Sequence, residues 1–296
     1  MTATSPASFA ADPAELLAIA RDIALEAGEL VRRRRAEGVE VAATKSSIAD
    51  VVTFADRESE DLIRARLAAA RPDDGFLGEE SAGEPTPGTS GVVWVVDPID
   101  GTVNYLYDIP AYAVSIAAVQ VTDGVADPAR WTALAGVVVN PVLGEVFTAT
   151  NGGGAFLTWL QAPDAQPRRL AVNTDVDLAR ALVGTGFSYS AETRVKQGRF
   201  ITGLVEKVRD IRRAGSAALD LCSVAAGRLD AYAERGLNPW DHAAAALIAR
   251  EAGARVGGFG DAAESDVMTL AGPPALLDEL EPLLFALHRD AGLPLE

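Results

Sequence analysis

The chain has 296 residues, 49% of them hydrophobic, with 26 Lys+Arg against 42 Asp+Glu and a formal net charge of −16. That length admits one large or two small domains around a substantial core. The acidic balance argues against a binder of nucleic acid or of anionic membranes, and it suits a phosphate substrate only where bound cations reverse the local field.

The first dozen residues, MTATSPASFAAD, lack the basic start and apolar run of a signal peptide and are expected to form a flexible tail. Residues 13–296 are expected to form one domain. Asp12, Pro13 and Glu15 then mark a helix start, and Leu16, Ile19, Ala20, Ile23, Ala27, Leu30 and Val31 recur at helical spacing. Arg32 to Arg35 sit near its end, where cations complement the helix dipole. The run reads as a solvated helix end rather than an RNA contact. After Lys45-Ser46-Ser47, a second helix is predicted over Phe54–Ala70, closed by Arg71-Pro72. Phe76-Leu77 is a short strand entering Gly78-Glu79-Glu80, and residues 84–91 form a Pro/Gly/Thr-rich loop.

Val92 to Val96 is a continuous apolar strand, buried on both faces. Strands over 113–121, 134–139 and 142–150 follow, with a turn at Asn140-Pro141 and an end at Gly152-Gly153-Gly154, making a largely antiparallel meander. The second half alternates: strand 181–186, helix 192–208, helix 216–227, strand 230–234, helix 241–252, strands near 255–256 and 267–270, and a closing helix over 273–290. Cys222, the one cysteine, excludes an internal disulfide and a thiolate metal site and reads as a small core residue. No run of 18 apolar residues exists, so no membrane span is expected and a cytoplasmic protein is.

Four carboxylates carry the chemistry: Glu79, Asp97, Asp100 and Asp241, with Glu80 as a neighbour. Each lies at the end of an apolar run or the start of a predicted helix, where it faces a cleft. Carboxylate oxygens are hard ligands suited to Mg²⁺ or Mn²⁺. In Asp97-Pro98-Ile99-Asp100-Gly101-Thr102 the strand delivers Asp97, Pro98 bends the chain, and Asp100 turns back toward the same point. The Ile99 carbonyl is free to face inward. Gly101 lets a phosphate approach the backbone, and if Thr102 opens a helical turn the two N–H groups make an anion cradle. The bland alternative for this motif is an acidic helix cap. Asp241 reads equally as an N-cap. Thr102 is the candidate for orienting a water, with Asp56 either as its partner or as a capping-box residue of the second helix.

These three motifs, G-E-E, D-P-I-D-G-T and W-D, in this order and spacing, resemble the inositol monophosphatase family of Mg²⁺-dependent, lithium-sensitive phosphatases, and the longer stretches 97–117 and 208–241 further resemble its bacterial, especially actinobacterial, branch. The resemblance spans nearly the whole chain. It implies an α/β fold of α/β/α/β/α layers, of the inositol monophosphatase/fructose-1,6-bisphosphatase type, and a homodimer. It implies that Glu79, Asp97, the Ile99 carbonyl, Asp100 and Asp241 hold two or three Mg²⁺, with Mn²⁺ as a substitute, and that Thr102 with Asp56 and Glu79 activates water. Ile99, Asp100, Gly101, Thr102, Gly215, Ser216, Ala217, Glu234 and Asp241 would then meet the substrate. Glu234 also has its own case, since a carboxylate accepts two hydroxyl hydrogen bonds from a polyol; its alternative is a surface carboxylate after a strand. His242 and Ala233 depart from the family pattern near the substrate end. His242 reads either as support for the site or as a structural residue.

The expected reaction is in-line attack of a metal-activated water on inositol 1-phosphate, with cations about 3.5–4 Å apart, as in two-metal sites generally. The same fold serves relatives that cleave histidinol phosphate, fructose-1,6-bisphosphate or phosphoadenosine, but Val103 stands where a Lys is common in some of them, which favours a neutral polyol. A non-enzymatic alternative is a partner of the transcription machinery. A Ca²⁺ site is disfavoured by the missing EF-hand spacing.

Overall fold

The computed structural model describes residues 9–44, 51–81, 85–122 and 126–295. Most of the expected tail, and the Lys45-Ser46-Ser47 stretch, lie outside those residues. Phe9 and Ala11 pack against the core under the first helix, and the Ala10 N–H donates to Gln120 Oε1 at 2.8 Å.

Helix α1 (Pro13–Glu37) begins where Asp12 Oδ1 accepts from Ala14 N. The carboxylate of Glu15 lies 3.8 Å from Arg71. The antiparallel pair β1 (Val41–Thr44) and β2 (Val51–Thr53) leads into α2 (Phe54–Ala70). Then come β3 (Gly75–Gly78), β4 (Val92–Asp100), the short α3 (Thr102–Leu106), β5 (Ala113–Val121), β6 (Trp131–Asn140), β7 (Glu145–Thr150), β8 (Gly154–Trp159) and β9 (Arg168–Arg169). The seven strands β3 to β9 lie side by side in chain order, antiparallel except for β3 with β4.

The second half supplies β10 (Leu182–Thr185), α4 (Ala191–Val205), β11 (Asp210–Arg212), α5 (Ala217–Ala225), β12 (Ala231–Glu234), α6 (Pro239–Glu251), β13 (Arg255–Gly257), β14 (Thr269–Gly272) and α7 (Pro274–Ala291). Its five strands are ordered β11-β10-β12-β14-β13.

Strand alternation sorts the apolar residues into layers. On β4, Val92, Trp94 and Val96 face α1 and α2, while Val93 and Val95 face α5 and α6. On β12, Tyr232 faces the α5–α6 core, and Ala231 and Ala233 face the core of α4 and α7. Helices α5 and α6 therefore lie between the two sheets, giving layers α/β/α/β/α. No helix among the described residues is long and apolar enough to cross a membrane.

Three expectations shift. The strand expected from residue 142 starts at Glu145, because Asn140 Oδ1 accepts from the N–H groups of Val142 and Leu143 and turns the chain. Gly152 to Gly154 form a turn within the sheet rather than its end, and β8 pairs back on β7. The helix expected to reach 208 stops at Val205, and β11 follows it.

Candidate active site

Strand β4 loses its register between Asp97 and Asp100, where Pro98 has no N–H to give to the ladder. The Ile99 N–H folds back to Asp97 Oδ1 at 3.0 Å. Both aspartates consequently face the same space. Asp241 reaches it from α6, and ligand oxygens of Asp97, Asp100 and Asp241 lie within 4.8 Å of one another. Asp241 is not the N-cap. Pro239 starts the helix two residues earlier, and Asp241 Oδ2 accepts the N–H of the capping Asn238 at 2.7 Å. Glu79 follows β3 directly, and its N–H donates to the Val96 carbonyl at 3.2 Å, beside Asp97.

The cleft around these groups has a volume of about 1400 Å³. Glu79, Glu80, Asp97, Ile99, Asp100, Gly101, Thr102, Gly215, Ala217, Glu234 and Asp241 all line it. Two expected residues stand behind its wall instead. Ser216 is buried, and its hydroxyl donates to Asp100 Oδ2 at 2.5 Å, next to the Ala218 N–H at 2.8 Å. Asp56 serves both functions considered for it: Oδ2 accepts from the Thr53 N–H and hydroxyl at the start of α2, and Oδ1 accepts from Thr102 Oγ1 at 3.0 Å. The same Thr102 hydroxyl lies 3.1 Å from the Ile99 carbonyl.

Thr102 does open a helical turn, α3, with Gly101 before it at φ +95°. A Cβ at Gly101 would meet the Ala111 carbonyl at 2.9 Å and the Gly215 carbonyl at 3.2 Å. Gly215 has φ +91°. Both turns need left-handed backbone and close approach, so glycine is the residue for each. Asn104 ties them together by donating to the carbonyls of Ala111 and Ala214.

Charge is crowded here. Burial pushes Asp97 and Asp241 well above the usual carboxylate range, and the nearby carboxylates of Glu79 and Asp100 push both further. Burial raises Asp100 to about 6, against the pull of the Ser216 hydroxyl and the Ala218 N–H. Asp56 rises to about 7 through burial, opposed by Thr53 and reinforced by Glu79 and Glu80. The strongest neighbours of Asp97 and Asp241 are thus carboxylates, not lysines or arginines. A set of hard, buried, mutually repelling oxygens fits a divalent cation, which relieves the repulsion and the desolvation together.

Four contributors were not visible in the motifs. Glu60 of α2 accepts the Glu80 N–H at 2.7 Å and the Ser81 hydroxyl, clamping the Gly78-Glu79-Glu80 turn. Ser59 donates to the Pro98 carbonyl at 3.3 Å. Asn104 and Tyr232 complete the set, and the Tyr232 hydroxyl donates to Glu234 Oε2. Helical spacing does place Ser59 and Glu60 on the buried side of α2, and that is the signal a buried Glu offers. The two departures from the family pattern point away from the cleft. Ala233 is in the α4–α7 core, and His242 is buried beside Glu264 and Arg250, with burial lowering it to about 4. Three members of the arginine run are engaged within the chain: Arg32 with Glu29, Arg34 with Glu37 and Glu58, Arg35 with Asp108.

A layered α/β/α/β/α fold whose carboxylates converge on a cation-fitting point, beside a threonine–aspartate pair, defines a metal-dependent phosphatase. A model of the inositol monophosphatase family matches residues 12–282, and the chain belongs to that family. It is 46% identical over 303 residues to the inositol-1-monophosphatase SuhB of Mycobacterium tuberculosis, covering 95% of this chain and 96% of that protein. The solved structure of Mycobacterium tuberculosis SuhB matches with a TM-score of 0.75 at 43% identity, over 96% of this chain and 99% of that one. A protein of Xylella fastidiosa named Nus factor SuhB is 40% identical over 211 residues, 71% of this chain and 70% of its own length.

Proposed function

We propose that this chain hydrolyses inositol 1-phosphate with Mg²⁺. One observation carries the reading: the Asp97, Asp100 and Asp241 oxygens converge beside the Thr102–Asp56 pair, in a cleft whose other end holds Glu234. Glu79, Asp97, the Ile99 carbonyl, Asp100 and Asp241 would hold two or three Mg²⁺, or Mn²⁺ in its place. When bound, such ions polarise the phosphoryl oxygens and acidify water.

The chain's own groups do the rest. Thr102 Oγ1, steered by Asp56 and the Ile99 carbonyl, keeps a lone pair for the attacking water and fixes its line of approach. The N–H groups of Gly101 and Thr102 receive phosphate oxygens. Glu234 accepts hydroxyl hydrogen bonds from the alcohol, as do Asp241 and the Gly215–Ala217 turn, with Ser216 acting through Asp100. Cys222 is fully buried away from the cleft and raised by burial, so it supplies no nucleophile, and no covalent phosphoenzyme is expected. Val103 lines the cleft with an apolar side chain, which favours a neutral alcohol over a charged one. The relative named inositol-1-monophosphatase supports this substrate. A cytoplasmic homodimer sensitive to lithium, with no nucleic-acid or membrane partner, completes the reading.

The test is Mg²⁺-dependent phosphate release from inositol 1-phosphate, histidinol phosphate, fructose-1,6-bisphosphate and a phosphoadenosine. Highest kcat/KM on inositol 1-phosphate is expected. A clear preference for histidinol phosphate would overturn the substrate while leaving the chemistry in place.

The relative named Nus factor favours a second reading, as a partner of the transcription machinery. Three of the four arginines that would serve such a surface, Arg32, Arg34 and Arg35, are paired with the chain's own carboxylates, so binding to RNA polymerase in a pull-down is expected to be absent.

A further inference from the structure

Three contacts decide where the Glu234 carboxylate stands. Tyr232 lies two residues earlier on the same face of β12, is fully buried, and donates its hydroxyl to Glu234 Oε2 at 2.5 Å. Just past the end of β10, a Cβ built on Gly186 would fall 1.9 Å from Glu234 Oε1 and 2.1 Å from its Cδ, so the carboxylate lies flat on the Gly186 backbone. Arg213 lines the same end of the cleft, and its charge favours the ionised form of Glu234.

The floor under this carboxylate is itself tied down. Buried Gln197 of α4 accepts the Ser188 N–H at 2.9 Å, and its amide reaches the Gly186 carbonyl at 3.5 Å. Thr185 donates to the Ala233 carbonyl at 2.8 Å, stitching β10 to β12 next to the pair. A buried tyrosine hydroxyl needs a partner, and Glu234 is the one it has. That bond occupies one acceptor direction of Oε2 and stops rotation of the carboxylate. The remaining lone pairs stay aimed at the cleft.

We propose that Tyr232 and Gly186 are a positioning pair that holds Glu234 as a fixed acceptor, and that through it this end of the cleft selects alcohols carrying hydroxyl groups. The proposal rests on the reading that Glu234 meets the substrate's alcohol. Its effect belongs in KM, because the hydroxyls are held equally before and during phosphate release.

The experiment measures Mg²⁺-supported kcat and KM on inositol 1-phosphate and on phenyl phosphate, which has no hydroxyl to offer. The proteins are the native enzyme, Tyr232→Phe, Gly186→Ala and Glu234→Gln. For Tyr232→Phe and Gly186→Ala, KM for inositol 1-phosphate is expected to rise about five- to tenfold with kcat within about twofold. The preference for inositol 1-phosphate over phenyl phosphate should fall by the same factor. The three atoms nearest a Cβ at Gly186 all belong to the flexible end of Glu234, so Gly186→Ala is expected to move the carboxylate in a folded protein even if Tyr232→Phe does not fold. Equal losses on both substrates would overturn the proposal by showing a structural role alone. If Glu234→Gln raises KM for inositol 1-phosphate and the other two variants do not, the positioning pair falls and the reading of Glu234 stands. An unchanged KM in Glu234→Gln overturns that reading and the proposal with it.

Discussion

At one end of the cleft, Asp97, Ile99, Asp100, Gly101 and Thr102 come from one continuous stretch where β4 runs into α3; at the other, Arg213 and Glu234, with Gly186 packed against Glu234, come from separate segments of the second half. The first end starts from a local bend: Pro98 breaks the ladder and the Ile99 N–H folds back to Asp97, while Ser216, Ala218 and Asp56 hold Asp100 and Thr102 from farther along the chain. The second exists only because β12 pairs in parallel with β10, setting Thr185 opposite Ala233 and so Glu234 over Gly186. In the proposed reading, chemistry common to all phosphate esters belongs to the first end, and recognition of a particular alcohol belongs to the second. The two ends should therefore fail in different ways.

The largest effect is expected from Asp97→Asn. It removes a charge from the converging set and should lower kcat by about 10³-fold on every substrate at saturating Mg²⁺. Wild-type turnover would erase the distinction between the ends, along with the proposed mechanism.

Glu60→Gln sharpens the comparison from one layer out. Its carboxylate holds the Glu80 N–H, so the Gly78-Glu79-Glu80 turn should loosen and the Mg²⁺ concentration for half-maximal activity should rise about 10- to 100-fold. The preference between inositol 1-phosphate and phenyl phosphate should hold; a changed preference with unchanged Mg²⁺ dependence would place Glu60 at the wrong end.

The smallest effect is on stability without metal. Burial raises Asp56 and Glu234 to about 7 and Asp220 to about 8. Folded pKa values above the unfolded ones mean that the folded chain holds more protons, so stability falls as pH climbs toward 8. His242 and His288, both lowered to about 4 by burial, act the other way, but only below about 6.5. Metal-free protein should therefore melt several degrees lower at about pH 8.5 than at about pH 6.5, and saturating Mg²⁺ should narrow the gap. Equal melting temperatures at both pH values in chelator would show that the buried carboxylates carry no such strain.

Much of the first end was legible because its signals are short-range. Val92 to Val96 announces a buried strand and Pro98 a bend, and both follow from apolar patterning and backbone sterics over a few residues. Asp56 was left between two functions because one carboxylate has two oxygens and performs both. Ser216 was expected in the cleft but faces Asp100, since nothing in Gly215-Ser216-Ala217 states which way its hydroxyl turns. Ala233 drew attention as a departure from the family pattern, yet strand alternation sends it into the opposite core. The Tyr232–Glu234 pair shares that same alternation and could have been read from it.

Sequence alone determined the layered α/β class, the main helices and the identity of the acidic groups at the first end, because apolar periodicity and turn chemistry act over a few residues. Tertiary structure decided which oxygen points where: the convergence of Asp241 on Asp97 and Asp100, the Glu60 clamp, and the seat of Glu234 on Gly186. Those depend on the packing of α6 and α2 and on the register of β12 against β10, and contacts between distant segments leave no periodic trace in the chain.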